Sequence, residues 1–154
     1  MAGWRTGYMV VPKPLLMSIK KIQDTNLICP PIISQVAAKR ALDVGAEWCT
    51  RRLDDFARVR SLALDAFSTL GDKCRIPVPD GAFYMLLQLS TNQADMTLVR
   101  QLVSDFGVAI LPGGTFGVES HPDRCSIRIS YGALDVETVT EGIGRLRDGL
   151  SKIL

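Results

Sequence analysis

The sequence predicts an α/β chain of the α+β kind, with helices packed on a small sheet. Three observations predict it. Val136, Val139, Ile143, Leu146, Leu150 and Ile153 step by three and four, which lines one face of a long C-terminal helix. Residues 82–89 alternate at period two and are almost wholly apolar, which reads as a strand. Trp48, Arg52, Phe56, Val59, Ala63, Phe67 and Leu70 recur at helical steps upstream of that strand.

Taken in order, residues 3–11 read as a strand with Trp4, Thr6, Tyr8 and Val10 on one face. Pro12-Lys13-Pro14 ends it, and Pro14 suits the first turn of a helix carrying Leu15, Ile19 and Ile22. Cys29-Pro30-Pro31 breaks that helix. A second helix carries Ile33, Val36, Ala37, Ala41 and Val44 and stops near Gly45. The third and longest is expected from about Glu47 to Leu70, with Gly71 as its stop. Arg52 interrupts its apolar stripe, so its stem should pack while its head reaches water.

Ile76-Pro77-Val78-Pro79 is extended by its prolines, and Asp80-Gly81 makes a turn. In the strand that follows, Phe83, Met85, Leu87 and Leu89 share one face; Tyr84, Leu86 and Gln88 share the other. Apolar character on both sides fits a central strand or one covered on both faces. Asp95 is expected to cap a helix with Val99, Leu102, Val103 and Phe106 on one stripe, stopped by Gly107. Residues 108–111 form a short strand, 112–117 a loop and 125–131 another strand. The last helix starts near Asp135. Gly142 and Gly144 inside it each cost roughly 1 kcal/mol against Ala, so its packing must hold it.

Composition narrows the function classes. Hydrophobic residues make up 47% and charged residues 22% of 154, ordinary for one globular domain. A net charge of +2 with scattered basic residues gives no nucleic-acid or membrane footprint. No apolar run approaches the ~20 residues of a membrane span, and the N-terminus has no signal-peptide pattern. Cys29, Cys49, Cys74 and Cys125 form no Cys-x-x-Cys pair, and His121 is the single histidine. Reduced packing cysteines in a cytoplasmic setting follow, and no metal site.

Several runs fall in a telling order. They are Gly3-Trp4-Arg5-Thr6-Gly7-Tyr8, Thr25-Asn26, the 31–38 stretch, Pro79-Asp80-Gly81-Ala82-Phe83-Tyr84, the 107–117 run and Ser126-Ile127-Arg128-Ile129-Ser130-Tyr131-Gly132. Together they resemble the C-terminal portion of the class I/II aminotransferases, fold-type-I enzymes that use pyridoxal phosphate. The resemblance covers essentially the whole chain. It implies that residues 1–13 are a remnant strand of the large cofactor-binding domain, 14–71 connecting helices and 72–154 the small C-terminal domain. In that family a Ser-x-Ser-Lys run, whose Lys is the Schiff-base residue, precedes Gly-Trp-Arg-x-Gly-Tyr. It would stand upstream of Met1, so no catalytic residue is expected in the chain, and the chain alone should be inactive. The resemblance further implies amino-acid and 2-oxo-acid substrates and a homodimer. A lyase or synthase of the same fold, or a ligand-sensing aminotransferase-like domain without turnover, are the alternatives.

By that resemblance Arg5 matches the family's cofactor-phosphate arginine, and Arg128 the arginine that binds the substrate α-carboxylate. The chemistry suits both, because guanidinium gives bidentate, always-charged contact to phosphate or carboxylate. Arg128 also stands between Ile127 and Ile129, where a charge is unexpected unless it faces a polar cleft. The glycines of 112–117 let backbone approach a ligand closely. Phe116 could line the substrate side. Tyr84 and Tyr131 read as packing, as do Trp4 and Tyr8. His121, in a polar stretch, and the lysines read as solvated.

Overall fold

The computed structural model describes residues 2–119, 121–132 and 135–154. The chain divides into two compact units, Met1–Arg51 and Arg52–Leu154.

The first unit is helical. A single 3-10 turn, Ala2–Trp4, is followed by an irregular stretch, and a second such turn, Lys13–Leu15, leads into α1 (Leu16–Asn26). Pro14 lies in that leading turn, where its missing N–H is harmless. Ile28 turns the chain at φ 62°, and α2 (Ile32–Val44) begins at Pro31. Gly45, at φ 81°, closes it before the short α3 (Glu47–Thr50). Among the described side chains of this unit only Ser34 is buried; Ile22, Ile32, Ile33, Val36 and Trp48 are all exposed.

The strand expected over residues 3–11 does not form. A strand is stabilised by ladder partners, and no described residue of this unit is in a strand. Arg5 sits at φ 53°, which no extended chain adopts, and Val10 is 91% exposed.

The second unit holds the core. α4 (Leu53–Ser68) precedes β1 (Cys74–Arg75), β2 (Tyr84–Ser90), α5 (Asp95–Phe106), β3 (Leu111–Pro112), β4 (Arg124–Ser130) and α6 (Val136–Ile153). The sheet order is β1-β2-β4-β3, antiparallel throughout, so β2 is central as its apolar pattern suggests. Met85, Leu87 and Leu89 are buried while Tyr84, Leu86 and Gln88 are not, so the core lies on one face. Ile127 and Ile129 of β4 join it. The helices cover that face with Val59, Ala63 and Phe67 from α4, Leu98 and Leu102 from α5, and Val139, Ile143, Leu146 and Leu150 from α6. Phe67 is fully buried; truncating such a ring to Ala typically costs about 3–5 kcal/mol.

Four expectations need correction. The long third helix is interrupted at Arg51-Arg52. There the Thr50 hydroxyl donates back to the Ala46 carbonyl, which also takes the Cys49 and Thr50 N–H groups. Such back-bonding competes with the regular ladder. Asp95 is the first residue of α5, not its cap; Ala94 holds the cap position. Leu98 faces the core where Val103 was expected, and Val103 is 47% exposed. The strand expected over 108–111 is only Leu111–Pro112, and β1 has no signal in the sequence because two residues carry no period. At α6 the expected start near Asp135 holds, and the structure adds that Asp135 caps the helix, accepting from the Thr138 N–H at 2.9 Å.

Candidate functional site

The face of the sheet away from the core presents Arg128. Antiparallel register places it opposite Leu86 on one side and Leu111 on the other. Period two sends Ile127 and Ile129 into the core and Arg128 out. Its guanidinium carbon lies 4.4 Å from the centroid of the Tyr84 ring and 3.9 Å from that of Phe116. Its Nε is buried without a hydrogen-bond partner among the described residues. No ion pair to an Asp or Glu among the described residues neutralises it within 4.0 Å. A half-buried cation with donors to spare is suited to a carboxylate, which accepts two parallel N–H bonds.

The loop carrying Phe116 is a 3-10 turn, Gly113–Phe116, closed by Gly117 at φ 77°. It is pinned at two points. The Gly114 N–H donates to Asp95 Oδ2 at 2.9 Å, so the carboxylate expected to cap α5 ties down this loop. Gly113 is pressed against β4: a Cβ there would lie 2.6 Å from Ser126 Cβ and 2.8 Å from its carbonyl oxygen. The three glycines thus hold the loop against the sheet beside Arg128.

Other candidates fall elsewhere. Tyr131 is buried, its hydroxyl donating to the Ala82 carbonyl at 3.3 Å; burial raises its pKa, and Arg60 opposes that. It is a packing residue, as expected. His121 pairs with Asp123 and meets Arg124 at the surface. From sequence Tyr84 reads as packing and Phe116 only as a residue that could line the substrate side; neither position reveals a cross-strand diagonal or where a loop folds back.

Arg5 belongs to the first unit, exposed, in the turn after Trp4. A phosphate dianion is seated by several converging donors. Here the neighbouring Thr6 hydroxyl donates to the Trp4 carbonyl. This offers one anchor; the described residues do not by themselves form a seat for pyridoxal phosphate.

Residues 1–146 match the family model for aminotransferase class I and II. The chain belongs to this family. It is 32% identical over its whole length to an aromatic aminotransferase of Arabidopsis thaliana, of which it covers 39%. It is 33% identical over 94% of its length to a valine–pyruvate aminotransferase of Mycobacterium tuberculosis, covering 37% of that protein. Among solved structures, an α-aminoadipate aminotransferase of Thermus thermophilus, complexed with N-(5'-phosphopyridoxyl)-L-leucine, superposes with TM-score 0.81. Identity there is 22%, over 99% of this chain and 39% of that one, so it speaks for the fold. This aminotransferase-family chain spans about two fifths of the length of its relatives. Among its described residues no helix is long and apolar enough to cross a membrane.

Proposed function

We propose that this chain is the C-terminal part of a pyridoxal-phosphate-dependent aminotransferase that moves an amino group between an amino acid and a 2-oxo acid. In this reading Arg128 binds the substrate α-carboxylate and Arg5 contributes one contact to the cofactor phosphate. The observation that carries it is Arg128 itself: a guanidinium on the open face of the sheet, bordered by two rings and neutralised by no described carboxylate. A cofactor of this type supplies the electron sink that makes a Cα–H bond acidic. The chain's own contribution is positional. Paired N–H bonds from Arg128 fix the carboxylate and with it the direction of the Cα substituents.

Residues 1–13 would belong to the large domain, 14–71 to the connection and 72–154 to the small domain, although α4 already packs into the second unit's core. A homodimer in the cytoplasm is part of the same reading, and four free thiols suit a reducing compartment. A lyase or synthase would use both arginines alike and is not favoured, because the relatives bear aminotransferase names.

In the complete enzyme, Arg128→Ala should raise KM for amino acids far more than Arg128→Lys does. Losing such a charge-assisted pair typically costs about 2–5 kcal/mol. Unchanged KM and kcat in Arg128→Ala would remove the assignment. The chain alone should give no oxo acid from pyridoxal phosphate, an amino acid and 2-oxoglutarate.

A further inference from the structure

We propose that Tyr84 and Phe116 are positioning residues: a two-ring clamp that orients the Arg128 guanidinium while leaving its charge and its N–H donors for a carboxylate ligand. That the carboxylate is a substrate's rests on the aminotransferase reading; the clamp itself rests on geometry.

An arginine side chain is long and flexible, and a free one has rotamer freedom to lose on binding. Proteins commonly restrain such a head with an Asp or Glu. That restraint also occupies the hydrogen-bonding edge and cancels the charge. Arg128 is restrained differently. Two rings bear on one guanidinium carbon, at 4.4 and 3.9 Å. They come from different elements: Tyr84 from β2, diagonal to the Leu86–Arg128 pair, and Phe116 from the loop after β3. A ring is attracted to the cation through its face and asks for no N–H donor. A carboxylate approaches in the guanidinium plane, where the donors point. The two kinds of partner therefore do not compete.

The clamp is itself braced. Phe116 stands on a turn held by the Gly114 N–H bond to Asp95 and by the close approach of Gly113 to Ser126. The Tyr84 ring lies 4.4 Å from that of Phe83, centroid to centroid, and its strand pairs with β4 along its whole length. Phe83 in turn stands 6.4 Å from Phe56 of α4. Both clamping residues are themselves around two-fifths exposed, Tyr84 38% and Phe116 43%. Replacing them should therefore disturb the core little.

The test compares ring-removing variants, Tyr84→Leu and Phe116→Leu, with ring-keeping ones, Tyr84→Phe and Phe116→Tyr. In the complete enzyme, each lost ring should raise KM for the best amino-acid donor about three- to tenfold, with kcat changed less than about twofold. The ring-keeping variants should stay near the parent in both constants. A second readout needs no turnover. The Arg128 Nε–Hε NMR signal, assigned by its loss in Arg128→Lys, should carry ring-current shifts that vanish in the Leu variants. Acetate, titrated as the carboxylate probe, should move that signal in the parent and need higher concentrations to do so in the Leu variants. Met substitutions serve the same comparison if a Leu variant does not fold. The clamp is overturned if the Leu variants leave both the signal and the acetate titration unchanged. It is overturned equally if Arg128→Ala raises KM while neither Leu variant does. If Arg128→Ala leaves KM unchanged but the signal and acetate titration respond as expected, the clamp stands and the substrate reading falls.

Discussion

Gly113→Ala tests whether the loop beside Arg128 is held by contact with the sheet. The new Cβ would meet Ser126 Cβ at 2.6 Å, its carbonyl oxygen at 2.8 Å and its carbonyl carbon at 3.1 Å. Carbon atoms in good contact stand about 3.5–4.0 Å apart, so something must move by roughly an ångström. Ser126 cannot yield cheaply, because it lies inside β4 and is paired with Gln88 of β2. The loop must lift instead. That strains the Leu111–Pro112 pairing with β4 just upstream and the Phe116 contact with Arg128 just downstream. Overpacking of this kind typically costs about 1–3 kcal/mol. For a unit the size of Arg52–Leu154, about 4–8 °C of melting temperature goes with each kcal/mol, so a fall of roughly 4–24 °C is expected. Gly142→Ala is the control. Its Cβ would meet nothing within 4 Å in the middle of α6, so helix propensity alone should stabilise by about 0.5–1 kcal/mol. The assay is thermal unfolding of both variants and the parent by circular dichroism. If Gly113→Ala melts at or above the parent while Gly142→Ala behaves as expected, the loop is not held by this contact.

Two further outcomes concern pH. Burial, with the charge of Asp95 adding to it, pushes the Cys125 thiol up to about 11 from 9.0. The folded state thus keeps a proton that the unfolded chain releases; the stabilisation is full below about pH 9 and is lost as pH rises through 11. Cys125→Ala should flatten the fall of stability in that window, measured by urea unfolding across pH; an unchanged slope would count against a buried thiol. Asp135 titrates below its ordinary range, chiefly because it accepts the Thr138 backbone N–H and then the Thr138 hydroxyl. Its stabilisation is therefore present above the usual carboxylate range and is lost as pH falls through the lowered value. Asp135→Asn should remove that part of the acid-side loss, and an acid melting profile identical to the parent's would refute the capping role.

How much was legible beforehand depends on how local each determinant is. α6 and its start near Asp135 are readable because the apolar step and Asp135 lie within one stretch of chain, while the Thr138 bond that makes Asp135 a cap is seen only in the structure. The central place of β2 was readable because a strand apolar on both sides has few other places to go. The 3–11 segment was misread for the opposite reason: alternation describes what a strand would look like, but ladder partners decide whether one forms, and this unit supplies none among the described residues. Asp95 was assigned to the nearest helix, whereas one of its oxygens serves a loop 19 positions away.

By itself the sequence determined the residue types that matter: a guanidinium between two isoleucines in a strand, glycines in the loop before it, and the order of motifs that marks the family. Those are properties of spacing along one chain, and backbone period carries them. Tertiary structure decided what surrounds that guanidinium. Tyr84 lies 44 residues before Arg128 and Phe116 lies 12 before it. Only the β2–β4 register and the fold of Gly113–Phe116 against Ser126 bring the two rings onto one cation. Contacts made across a sheet depend on register and loop path, and neither leaves a periodic trace in the residues that make them.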